Sequence, residues 1–151
     1  MNTELIDTAA RLGGAALAGA ALGLNRDLHR KPAGLRTHAL VSLGSALIVV
    51  VVTTVTGGAP DALSRVVQGV LTGIGFVGAG VIMHHDSEHR VEGLTTAASI
   101  WVAAAIGIAC GTAMWWIAAL GLLLTMVLLI FGGPVERAVK RALTPPEDDS
   151  A

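Results

Sequence analysis

The sequence contains no tyrosine, one cysteine and two phenylalanines among its 151 residues. Charge is also scarce: 14% of the residues are Asp, Glu, Lys or Arg, against roughly a quarter in an ordinary soluble domain. A single cysteine excludes an intrachain disulfide and a cysteine-built zinc site. Cys110 lies in an apolar run that suits a buried, inert thiol. A net charge of −1 leaves no basic footprint for nucleic acid. The first ten residues hold Glu4 and Asp7 but no Lys or Arg. That differs from the basic start of a secretory signal, although Ala18-Gly19-Ala20 mimics a cleavage site. No separate soluble domain is expected, because the only polar tail is short.

What the chain does have is long uncharged apolar runs, with 53% hydrophobic residues and 19 glycines. A membrane-spanning helix needs roughly 20 apolar residues. The runs predict an all-α membrane protein with five spans, at about 5–24, 39–58, 65–83, 94–111 and 114–133, followed by a tail over 134–151. The first span takes in Arg11, which can pair with Asp7 one helical turn earlier or snorkel to the near interface. Asn25 to His38 reads as a dense polar loop. Gly57, Gly58 and Pro60 stop the second span. The last two spans share one uncharged stretch, bent near Gly111-Thr112, with Trp115 and Trp116 beside the bend where an interfacial aromatic belt belongs.

The third span carries Gly69, Gly73, Gly75, Gly78 and Gly80. At 100° per residue, Gly69, Gly73 and Gly80 fall within about 40° of each other, and Gly75 and Gly78 fall opposite. Helices associate in lipid largely through close packing at such small residues, so this span is expected at the centre of the bundle. The pairs Gly19/Gly23 and Gly107/Gly111 are expected to pack within the protomer.

Eight of the ten positive residues lie in 25–38, 84–93 and the tail, which share one side in a five-span arrangement. The positive-inside rule then puts the N-terminus outside and the C-terminus in the cytoplasm. Shifting the chain by 59 residues aligns Gly34-Leu35-x-Thr37-x-Ala39 with Gly93-Leu94-x-Thr96-x-Ala98, and also Leu12/Leu71, Gly14/Gly73, Gly19/Gly78, Ala20/Ala79, Asp27/Asp86 and Ala46/Ala105. This predicts a parallel internal repeat of helices 1–2 and 3–4. Both GLxT motifs would then open a helix on the cytoplasmic side, where free backbone N–H groups and threonine hydroxyls favour capping or anion binding.

Two motif matches have bland readings. Gly73-Ile-Gly75-Phe-Val-Gly78 fits a dinucleotide fingerprint but lies inside a span, without the strand that fingerprint requires. His85, Glu88 and His89 fit a zinc-protease spacing but sit in a short polar loop with no third ligand evident. No metal, cofactor or catalytic residue is expected. Polar groups at membrane depth are costly and often functional. The candidate cluster is Asn25, Arg26, Asp27, Arg36, Thr37, Thr95 and Thr96 on the cytoplasmic side. A second polar group, Asp61, Arg65 and Gln68, opens span 3 on the outer side, with Asp61 placed to pair with Arg65. Deeper polar residues are few: Ser42, Ser45, Thr53, Thr54, Ser99 and Thr125.

The segments GLNRDLHRKPAGLRTHALVSLGSAL, SRVVQGVLTGIGFVGAGVIM and VEGLTTAASIWVAAAIGIACG resemble the signature segments of the MgtC/SapB family, with spacing intact over nearly all of residues 8–132. Arg26, Asp27, Arg36, Thr37, Arg65, Gln68, Thr95 and Thr96 match its motif positions. Asn25 stands where the family commonly has an acidic residue. The resemblance implies a five-span bacterial inner-membrane protein, linked to growth at low magnesium and to virulence. It implies action on other membrane proteins, such as ATP synthase or a magnesium P-type ATPase, rather than transport. Many members carry a cytoplasmic ACT-like domain, and this sequence is expected to lack it. A homo-oligomer is compatible with the small-residue faces. The other function class is a small magnesium or proton channel or carrier, which would need polar groups at mid-depth. An enzyme has only the loop histidines in its favour and is not expected.

Overall fold

A computed structural model describes residues 2–83 and 92–143. It is all-helical over those residues: α1 (Asn2–Leu28), α2 (Leu35–Thr56), α3 (Pro60–Met83), α4 (Leu94–Gly111) and α5 (Trp115–Leu143). All five are long and apolar enough to cross a membrane. The breaks fall where local chemistry ends a helix. Gly57 takes the left-handed conformation after α2 and returns its N–H to the Thr53 carbonyl, an arrangement glycine adopts without steric cost. Pro60 opens α3, where a missing N–H costs nothing. The α4–α5 bend lies at Thr112–Met114, as the sequence predicts, with Ala113 left-handed (φ 59°).

Two boundaries differ from expectation. α1 runs to Leu28 and α2 begins at Leu35, so the polar loop shrinks to 29–34 and His38 joins the first turn of α2. α5 continues through Pro134 to Leu143. Its last turns are exposed and amphiphilic, and Lys140 pairs with Glu136 at 2.6 Å.

The centre of the bundle is α4, not the glycine-rich α3. α4 touches each of the other four helices, and ten of its eighteen residues are buried. Along α3 only Gly78 is buried among the described residues. The reason lies in backbone approach. A Cβ on Gly19 would strike the His38 carbonyl and Ser42, and one on Gly23 would strike Gly34 and Leu35. A Cβ on Gly107 would strike the Ser42 backbone, and one on Gly111 would meet Ala46 and Val49. The two glycine pairs thus press α1 and α4 onto α2 on either side of Ser42 along the chain, within the protomer. In α3, a Cβ at Gly69, Gly73, Gly75 or Gly80 would meet nothing within 4 Å, and one at Gly78 would touch Ala97 at 3.5 Å.

The apolar core is built from Ala15, Leu22, Ala46, Ala103, Ile106, Ala109, Cys110 and Ala118. Arg11 sits at its outer edge, pairing with Asp7 at 2.7 Å. It also donates from Nη1 to the Gly111 carbonyl at the end of α4 (3.2 Å), where a cation suits the helix dipole. The starts of α2 and α4 lie 59 residues apart, the offset of the sequence repeat. The two starts are not equivalent, however. Gly34 is extended (φ −91°), whereas Gly93 is left-handed (φ 91°).

Candidate functional site

The C-terminus of α1 and the first turns of α2 and α4 converge at one end of the bundle. Arg26 closes α1 and is almost fully buried, at 6% exposure. Its Nη2 donates to the Thr96 hydroxyl of α4 at 2.6 Å. Asp27, the next residue, faces the other way. Its Oδ2 accepts the Leu35 backbone N–H at 2.9 Å and so caps α2 from the preceding helix, a role that acidic side chains fill at helix N-termini. Its other carboxylate oxygen lies where a Gly34 side chain would be, so a side chain at 34 would push the carboxylate off its cap. His29 Nδ1 donates back to the Asn25 carbonyl at 2.7 Å and ties down the chain as it leaves α1.

Behind Arg26 lies His38, fully buried. Its Nδ1 is 3.0 Å from the Gly34 carbonyl and its Nε2 is 3.0 Å from Ser99 Oγ. Ser99 Oγ also lies 2.8 Å from the Thr96 carbonyl. A carbonyl only accepts, so Nδ1 carries a hydrogen. The Ser99 hydroxyl has one hydrogen to place. If it goes to the Thr96 carbonyl, Nε2 must donate and His38 is an imidazolium. If it goes to Nε2, His38 is neutral and the Thr96 carbonyl loses that partner. The two arrangements differ by one proton. Arg26 Nε and Ser42 Oγ are buried without a hydrogen-bond partner among the described residues.

The structure therefore joins Arg26 to Thr96 and gives Asp27 a capping role. Asn25 is buried beside them. Arg36 and Thr95 are exposed at the starts of α2 and α4, and Thr37 is half-buried. None of these three makes a side-chain hydrogen bond among the described residues. Sequence reasoning missed His38, Ser42 and Ser99 as members of the cluster. Their signal was spacing: His38, Ser42 and Ser45 recur at i, i+4 and i+7 along α2, and Thr96 and Ser99 at i and i+3 along α4, so each set forms one face.

On the other side, Asp61, Arg65 and Gln68 are exposed. The expected Asp61–Arg65 pair is not formed; among the described residues the ion pairs are Asp7–Arg11 and Glu136–Lys140. No three His, Cys, Asp or Glu side chains among the described residues gather closely enough to hold a metal ion. The His85, Glu88 and His89 motif lies outside the described residues.

Comparison with known proteins gives these positions a context. The model of the MgtC family matches residues 12–138. Protein SrpB of Synechococcus elongatus is 45% identical over 125 residues, covering 76% of this chain and 69% of SrpB. YhiD of Escherichia coli K12, whose name proposes magnesium transport, is 41% identical over 124 residues, covering 76% of this chain and 55% of YhiD. Protein MgtC of Brucella abortus is 42% identical over 110 residues, covering 73% of this chain and 44% of that protein. The chain thus spans about half the length of several relatives it matches. No solved structure matches. The match over most of the chain, together with five apolar helices in the matching positions, places this protein in the MgtC family of membrane proteins.

Proposed function

We propose that this protein acts in the bacterial inner membrane by docking against other membrane proteins and modulating them, without conducting an ion itself. The observation that carries this reading is the one-sidedness of its buried polar groups. Arg26, His38, Ser42, Thr96 and Ser99 cluster at one end. Ser42, seven residues into α2, lies about 10 Å from that helix start, against a hydrocarbon core of about 30 Å. Beyond it, Ala46, Val49, Val50, Ala103, Ile106 and Ala109 fill the bundle axis. Ser45, the next hydroxyl, donates to the Val41 carbonyl of its own helix at 2.8 Å. This apolar stretch among the described residues supports a protomer without a continuous polar path for a hydrated ion.

The basic cluster at this end makes it the cytoplasmic one by the positive-inside rule, with the N-terminus outside. Exposed Arg36 and Thr95 then form the face that meets a partner, above a buried network that fixes the helix ends. ATP synthase or a P-type ATPase are the partners that the family suggests.

The alternative is magnesium or proton conduction, and of these the name of YhiD favours magnesium. Purified protein in liposomes loaded with magnesium- and pH-sensitive dyes separates the two. The expected result is flux no greater than that of empty vesicles. Magnesium or proton flux above empty vesicles that scales with protein content overturns the modulator reading.

A further inference from the structure

The geometry points to a phospholipid site in the groove between α2 and α3, with one acyl chain lying in the groove and the lipid phosphate held by Arg65. The groove is lined by Val41, Gly44 and Ile48 of α2 and by Gly69, Gly73 and Val77 of α3, with Arg65 at the end nearest the start of α3. It is an open groove of about 610 Å³.

Its length suits an acyl chain. From Arg65 to Val77 the groove runs twelve residues along α3, about 18 Å at 1.5 Å per residue. One leaflet of the hydrocarbon core is about 15 Å deep. A polymethylene chain matches this length and the apolar lining of the groove.

The glycines make the slot. Nothing among the described residues would obstruct a Cβ at Gly69 or Gly73, and glycine inside a helix is unfavourable by about 1 kcal/mol relative to alanine. Internal packing among the described residues does not account for them, and the groove they open has room for an apolar guest. Arg65 supplies the charge complement. It is exposed and forms no ion pair among the described residues. It stands five residues into α3, within reach of the interface for a long side chain, and guanidinium binds phosphate through paired hydrogen bonds.

The test is lipid retention by the full chain, measured by native mass spectrometry after graded delipidation in detergent. Three variants are compared: Arg65→Gln, Gly73→Leu to fill the slot, and Gly13→Leu as control. Gly13 is exposed on α1, and a Cβ there would meet nothing within 4 Å. Wild type and Gly13→Leu are expected to keep one phospholipid per protomer. Arg65→Gln and Gly73→Leu are expected to lose at least about fivefold, the scale of one good hydrogen bond or more, with unchanged helical circular dichroism and melting. Equal retention by all four proteins means bulk lipid contact only and overturns the site. A protomer–protomer cross-link along α3 that Gly73→Leu abolishes, with lipid retention untouched, assigns the groove to a second copy and also overturns it.

Discussion

α3 and α4 are both uncharged through the membrane and rich in small residues, yet one lies at the rim and the other at the centre. The difference is in what faces the glycines. Gly107 and Gly111 lie against the backbone of α2, at Ser42 and Ala46, so closely that no side chain fits. Gly69, Gly73, Gly75 and Gly80 face open space. A small-residue face allows close approach, but it does not say whether the neighbour is a helix of the same protomer, another molecule or lipid.

Substitutions that add the same atoms to both helices sharpen this contrast. Gly107→Ala should have the largest effect, because its methyl would strike the Ser42 backbone. A loss of about 2–3 kcal/mol is expected from such overpacking, read as lower membrane yield and an earlier melting transition. Thr96→Val comes next. It keeps the volume but removes the acceptor of the buried Arg26 guanidinium, at a cost of about 1–3 kcal/mol. A double-mutant cycle with Arg26→Met should return a coupling of similar size. Gly78→Leu should cost about 1 kcal/mol, since only Ala97 stands in the way and α3 can lean outward. Gly80→Ala should be neutral or mildly stabilising, gaining up to about 1 kcal/mol of helix propensity. If Gly80→Ala proved worse than Gly107→Ala, α3 and not α4 would be the packed centre.

The spans were legible because their signals are local. Uncharged runs mark where lipid is crossed, Gly57-Gly58-Ala59-Pro60 and Gly111-Thr112 mark where helices end, and the Asp7–Arg11 pair follows from i, i+4 spacing. The central helix was not legible, because glycine periodicity describes one surface and packing needs two. The site was half legible. Arg26 and Thr96 met because the GLxT motif places Thr96 at a helix start, close to the end of α1. His38 was hidden by its neighbours. Among Arg30, Lys31 and Arg36 it reads as one more loop charge, and only the cap that Asp27 gives Leu35 pulls the helix start back far enough to bury it.

That cap bears on the order in which the chain is built. The Asp27–Leu35 bond closes over eight residues, so α1 and α2 form a finished hairpin as soon as both are in the membrane. Arg26 and His38 must wait for Thr96 and Ser99, 70 and 61 residues later. At 5–20 residues per second of synthesis, the delay is about 3 to 14 seconds. Throughout that interval the Arg26 guanidinium lacks Thr96 and the His38 ring holds only its bond to Gly34, at the mouth of a half-made protein. Water at the membrane surface must solvate them until the fourth helix arrives and shuts them in.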